Sequence, residues 1–203
     1  MGRRDPITLS IQTKKNKTAM GIVICRTSFR SVLSHALDDV SWYHGPMNNI
    51  GIYVDVQNIY YTTRQIFNRQ FNFRALWEHV SAGGEITQAH AYAIERNDSR
   101  QRAFQQALRH IGFEVSLKPY IQRSDGSAKG DWDVGITIDV LSHAPDLDRV
   151  VLLSGDGDFD LLVQAVQSRH DVFFEVYGVA DLTADSLKRA ANSFNAIDER
   201  LLL

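Results

Sequence analysis

Five carboxylates stand where apolar segments begin or end. Asp156, Asp158 and Asp160 leave the run VVLLSGDGDFD (residues 150–160) at alternate positions, Asp55 closes IGIYVD, and Asp133 opens DVGITIDV. Two or three carboxylates within a few ångströms cannot all ionise cheaply without a counter-charge. A hard, oxygen-seeking ion such as Mg²⁺ or Mn²⁺ supplies one and takes phosphate oxygens as further ligands. Such an ion can generate a hydroxide nucleophile and stabilise the leaving oxygen in phosphodiester hydrolysis. Asp55, Asp156 and Asp133 are the first candidates to hold it.

Each residue also has a plainer use. A lone Asp after a strand commonly serves a turn or caps a helix. Asp158, which opens DFDLLVQAV, is that helix's cap, a metal ligand, or both. Asp160 reads as solvated surface and Asp131 as a helix cap. Asp139 lies six residues beyond Asp133, about 600° around a helix. It therefore points about 120° away and reaches the same site only if that helix crosses the rim. Asn58, three residues after Asp55, falls in the turn after the strand, where its amide either holds a water or phosphate oxygen or caps the next helix. Ser154 either orients Asp156 or satisfies the turn. Lys129, in the loop before Asp133, either neutralises a phosphate or is solvated. The seven histidines show no pair at ligand spacing, which argues against zinc.

Strands and helices alternate around these positions. IGIYVD and RVVLLSG are short, β-branched, apolar runs and hence buried strands. FNFRALWEHVSAGG is a helix capped by Asn72, with Leu76, Trp77 and Val80 on one face and Gly83-Gly84 as its stop. ITQAHAYAIE alternates as a strand. DSRQRAFQQALRHIG is an amphipathic helix capped by Asp98 or Ser99, with Phe104, Leu108 and Ile111 inward and Gly112 at its end. FEVSLKPYIQ is a strand that Pro119 assigns to an edge or a bulge, and SDGSAKG is a loop. DWDVGITIDVLSHA is a helix through Trp132, Ile136, Val140 and Leu141. DFDLLVQAVQSRH is a helix, DVFFEVYG a strand and LTADSLKRAANSF a closing helix, with NAIDERLLL adding a short strand. Strands separated by helices imply right-handed crossovers and a mainly parallel sheet covered on both faces. Ligands of such sheets collect at the carboxyl ends of the strands, where Asp55 and Asp156 fall.

Composition limits the possibilities. With 203 residues, 44% hydrophobic, the chain can hold one well-packed domain. No apolar run is long enough for a membrane span, and the single Cys25 excludes an intramolecular disulfide. A cytoplasmic, reduced setting is expected. Residues 1–46 carry seven of the 22 Lys/Arg and three of the 24 Asp/Glu, leaving 15 basic against 21 acidic residues over 47–203. That balance opposes a tight, sequence-independent grip on duplex DNA. Residues 1–46 lack periodicity and end in Gly-Pro. They are a targeting segment, an accessory arm, or an extension upstream of a true start at Met47; the last is the favoured reading. The expected division is an extension over 1–46 and a domain over 47–203.

YVDVQN, KGDWDVGITID and SGDGDF, in that order with helices between, resemble the NYN domain of the LabA-like family, within the PIN-like superfamily of metal-dependent nucleases. The resemblance covers residues 49 to about 198. It implies a three-layer α/β/α Rossmann-like, PIN-type fold with about five strands in the order 3-2-1-4-5, so that the strands ending at Asp55 and near Asp156 are neighbours. It further implies an acidic Mg²⁺ or Mn²⁺ site of Asp55, Asp133, Asp156 and Asp158, with Asn58 close by and Lys129 and Asp139 in supporting positions. Asp131-Trp132 lengthens the spacing between Lys129-Gly130 and Asp133 relative to a common family pattern, which bears on Lys129 more than on Asp133. The implied activity is cleavage of RNA phosphodiester bonds by metal-activated water.

A second reading keeps the fold and drops the turnover: an RNA-binding or protein-interaction module. A haloacid-dehalogenase-type phosphatase wants a carboxylate where Gln57 stands, and a receiver domain wants a lysine that VFFEVYGVAD does not offer. RNA, single-stranded, is the expected partner, with a homodimer or protein partner to guide substrate choice. Its contacts would come from Arg123 and Lys129, from arginines 96, 100, 102 and 109, and from stacking on Tyr60, Tyr61 or Trp132. Against this, Trp132 suits a core and the arginines a solvated face.

Overall fold

The computed structural model describes residues 49–95, 98–119, 121–122, 128–129 and 131–203. The expected extension over 1–46, the start at Met47, and Arg96 and Arg123 lie outside the described residues. For Lys129 only the backbone is described.

The buried run after Asn49 forms β1 (Asn49–Asp55), and the chain turns directly into α1 (Val56–Phe67). Then follow α2 (Phe73–Ser81), β2 (Glu85–Glu95), α3 (Ser99–Ile111) and β3 (Glu114–Pro119). Two short strands, β4 (Ile121–Gln122) and β5 (Ala128–Lys129), form an antiparallel ribbon at the ends of the expected loop. The remainder runs α4 (Asp133–His143), β6 (Arg149–Leu153), α5 (Asp160–Arg169), β7 (Phe173–Gly178), α6 (Asp185–Ala190) and β8 (Ser193–Ala196).

Six strands make one sheet in the order β3-β2-β1-β6-β7-β8, and every neighbouring pair is parallel. The expected order of five therefore holds, with a sixth strand added at one edge. That strand is the short one expected of the tail, entered two residues early: closing helix α6 already ends at Ala190, β8 takes in Ser193 and Phe194 with Asn195 and Ala196 of the tail, and beyond it the chain forms a helical turn at Glu199–Leu201 and bridges Phe71 through Leu202. Pro119, which cannot donate to a ladder, ends edge strand β3.

Alternation along the strands builds two apolar layers. Ile50, Ile52 and Val54 of β1 pack with Ile59 of α1, Leu76 of α2 and Leu108 of α3 on one face. Tyr53 lies on the other face with Leu152, Phe174, Ile136 and Val140 of α4, and Val163 of α5. Each fully buried Ile, Leu or Phe contributes about 1.5–3 kcal/mol over exposure. Gly112 ends α3 at φ 127°, where a Cβ would also stand 2.5 Å from the Trp77 ring, so glycine is required twice over.

Candidate metal and nucleic-acid site

Asp55 pairs with Tyr92 across to β2, and Val54 pairs with Leu153 of β6, so β1 and β6 end together at one rim. Asp55 is at once the last residue of β1 and the N-cap of α1: its buried carboxylate accepts from the Asn58 N–H at 3.1 Å. Asn58 is therefore inside the first turn of a helix rather than in a loop. Its side chain reaches across the rim, where Oδ1 accepts from the Gly155 N–H at 2.9 Å. One amide thus joins the end of β1 to the loop after β6.

That loop is shaped by its own polar atoms. The fully buried Ser154 accepts from the Asp156 N–H at 3.2 Å and also bonds the Asp55 carboxylate, so it serves the turn and the acidic site together. Asp156 caps the helical turn Gly157–Phe159 by accepting from the Asp158 N–H at 3.0 Å. The expected cap Asp158 is instead exposed and makes no cap bond, and α5 starts at Phe159-Asp160 without a side-chain cap. Asp160 is half-buried in the first turn of α5. Asp133 is the first residue of α4. The expected cap Asp131 is exposed one position too early; Trp132 occupies the cap position with no side-chain bond.

The carboxylates feel one another. Burial first, and then the charges of Asp156, Asp55, Asp131 and Asp158, push Asp133 from 3.8 to about 6. Burial also raises Asp55, with Asp156 adding to it and the N–H groups of Asn58 and Gln57 opposing it. Among the described residues no three carboxylates or imidazoles are drawn together closely enough to form a ready cage for one ion. What the rim offers is hard oxygen donors with an excess of negative charge, a donor set suited to Mg²⁺ or Mn²⁺ rather than to a soft ion.

Asp139, in the second turn of α4, accepts through Oδ2 from the hydroxyl of Tyr92, the cross-strand partner of Asp55, at 2.7 Å. Around it the fold assembles a group that sequence spacing did not reveal. The Tyr53 hydroxyl and His143 Nδ1 are 3.0 Å apart, and the His90 ring stacks on His143 at 5.2 Å and on Tyr53 at 5.6 Å. Burial lowers His90 and raises Tyr53 and Tyr92. Trp132 is half-buried, donates its indole N–H to the Ala93 carbonyl at 2.9 Å and lies under Lys118 Nζ at 4.3 Å. It is a packed residue with one cation already on its face. Lys118, which also donates to the Asp131 carbonyl at 2.8 Å, is a basic neighbour of the α4 entrance that the motif spacing did not indicate. Tyr60 and Tyr61 are 49% and 52% exposed and stand edge to face on α1.

A model of the NYN domain matches residues 49–198. The chain belongs to the NYN domain family. NYN domains share the PIN-like nuclease fold, which accounts for the parallel sheet. This NYN protein is 25% identical over 158 residues to "Low amplitude and bright protein LabA" of Synechococcus elongatus, covering 72% of this chain and 82% of LabA. It is also similar to the crystal structure of VPA0982, a protein of unknown function from Vibrio parahaemolyticus, with 52% identity and a TM-score of 0.74 over 78% of this chain and 98% of that one. Among the described residues, no helix of the NYN protein is long and apolar enough to cross a membrane.

Proposed function

We propose that the protein is a divalent-metal-dependent ribonuclease that hydrolyses phosphodiester bonds of single-stranded RNA at the rim formed by β1, β6 and α4. The observation that carries this reading is the placing of Asp55, Asp133, Asp156 and Asp158 at the ends of β1 and β6 and the start of α4, near enough that, after burial, their charges help to raise Asp133 to about 6. A divalent ion held by these residues supplies Lewis acidity and neutralises charge at the phosphate. Asp55 and Asp156, fixed by their N–H bonds, would hold the ion together with Asp133 and Asp158. Ser154 and Asn58 hold the two strand ends in register, and the exposed Asp158 would complete the acidic set. Asp139 acts indirectly, by fixing Tyr92 beneath α4. Lys129 is proposed as a phosphate neighbour on the family pattern alone. The single cysteine suits a cytoplasmic setting.

The test is cleavage of end-labelled single-stranded RNA by the full chain in Mn²⁺ or EDTA, beside Asp156→Asn. An asparagine keeps a cap acceptor, so the variant should fold while losing charge. Metal-dependent cleavage that vanishes in Asp156→Asn is the expected outcome. The lack of a close three-ligand cage among the described residues favours a second reading, an RNA- or protein-binding module without turnover. Equal RNA binding by both proteins with no cleavage would select it.

A further inference from the structure

An acidic rim on a domain with 15 basic and 21 acidic residues repels the phosphates it is proposed to cut, so the grip on RNA has to come from beside it. A cavity of about 540 Å³ opens there, between α1 and α3. Val56 and Gln57, the two residues after Asp55, line it from α1. Ala93 lines it from β2, one residue past the partner of Asp55, and its carbonyl holds the Trp132 indole on the α4 side. The cavity and the acidic rim therefore share the strand ends.

Its chemistry is that of a nucleotide site. Gln57, Tyr60, Tyr61 and Arg64 line it at the one-turn repeat of a helix, and Arg100 faces them from α3. About half of each tyrosine is exposed. Among the described residues neither Arg64 nor Arg100 has an ion-pair partner. Asp98 also lines the cavity, but its carboxylate is turned to the Arg100 N–H as the cap of α3 at 2.9 Å. Aromatic faces with guanidinium groups beside them bind unpaired bases and their phosphates without regard to sequence. The volume falls within the roughly 300–1,000 Å³ of small-ligand pockets, room for about one nucleotide.

We propose that the α1–α3 cleft is a subsite for the nucleotide next to the scissile phosphate of a single-stranded RNA, its base on Tyr60 and Tyr61 and its phosphate on Arg64 and Arg100. This rests on the ribonuclease reading for the position of the scissile bond, while the binding itself is measured without turnover. Full-length Asp156→Asn protein is titrated into a fluorescein-labelled uridine dodecamer and followed by anisotropy. Replacing both tyrosines with alanine weakens binding about tenfold, the loss expected for one stacked base, whereas replacing both with phenylalanine leaves it unchanged. Arg64→Gln with Arg100→Gln weakens binding and flattens its log–log salt slope by about 1.4, the loss of two phosphate contacts on a single strand. A dodecamer with 4-thiouridine cross-links to peptides of α1.

Unchanged affinity and salt slope in every variant would overturn the cleft, and would leave the ribonuclease reading standing if the parent chain still cuts RNA in Mn²⁺. Cleft-dependent binding without cleavage would sustain the subsite and overturn the nuclease. A parent chain that binds no dodecamer would overturn the subsite, as would cross-links confined to other segments.

Discussion

Asp133→Asn should make the metal-free protein more stable. Moving Asp133 from 3.8 to about 6 means that ionising it in the folded protein is unfavourable. At about 1.4 kcal/mol per tenfold the full displacement corresponds to ~3 kcal/mol. Asp133 is only half-buried, so screening by water reduces this to roughly 1.5 kcal/mol. As the first residue of α4 it also interacts favourably with the positive end of the helix, and losing that costs about 0.5 kcal/mol. The net gain is ~1 kcal/mol at pH 7.5, or about 3 °C in Tm for a domain of this size. Because the folded value is raised, the carboxyl's contribution is fully present below pH 3.8 and is lost as pH rises through about 6. The advantage of the asparagine therefore appears at pH 7.5 and shrinks to a few tenths of a kcal/mol by pH 5. His90, which burial holds below its usual value, acts with the opposite sign, losing stability as pH falls below 6.5. It is common to both proteins and cancels in the difference. The assay is urea unfolding of both proteins in EDTA at the two pH values, repeated with Mn²⁺. Mn²⁺ at a hundred times its Kd adds about 2.7 kcal/mol to the native chain and far less to the variant, so the order inverts. An Asp133→Asn protein that is less stable than the parent in EDTA at pH 7.5 would refute the claim that burial and the neighbouring carboxylates together oppose the charge of Asp133.

Asn58→Ala leaves the buried Gly155 N–H without its acceptor and should cost about 1–3 kcal/mol in urea unfolding. Gly155→Ala places a Cβ 2.8 Å from the Leu182 carbonyl oxygen, a backbone atom, so a Tm drop equivalent to about 1–3 kcal/mol is expected by calorimetry. Tyr53→Phe removes the hydroxyl bound to His143 but keeps the stacking, and should lower stability by ~1 kcal/mol in chemical denaturation. Leu152→Ala opens the fully buried layer beneath α4 and α5 and should cost ~2–5 kcal/mol, read in the same way.

The alternation of apolar runs and amphipathic helices was enough to locate five of the six strands of the sheet, because parallel strands buried on both faces must be apolar throughout. Helix α1 went unassigned for a physical reason. Asp55 ends the strand and caps the helix with no turn residue between, and Ile59, Tyr60, Tyr61, Thr62 and Thr63 are β-branched or aromatic types that favour helix weakly. β8 begins two residues ahead of the expected tail strand because Ser193 and Phe194 read as helix continuation, whereas α6 stops after six residues and Asn192 accepts from the Phe174 N–H at 2.7 Å. The carboxylates at the rim were legible because each adjoins an apolar run. Which of Asp156 and Asp158 caps a turn was not, since both precede helical residues and only the backbone path decides. His90 and His143 could not be paired from spacing: they lie on β2 and α4, and only the packing of α4 on the sheet brings their rings to 5.2 Å.

Asp55, Ser154 and Asp156 are each tied to backbone or to one another before any ion arrives, and Asn58 fastens the two strand ends. An incoming cation would therefore meet the ends of β1 and β6 already joined, and what it would still have to draw in is Asp133 and Asp158, since no close three-ligand cage stands ready among the described residues. Under the proposed function, occupancy of the rim would then follow free Mg²⁺ at the pace of that side-chain adjustment rather than of a fold forming around the ion.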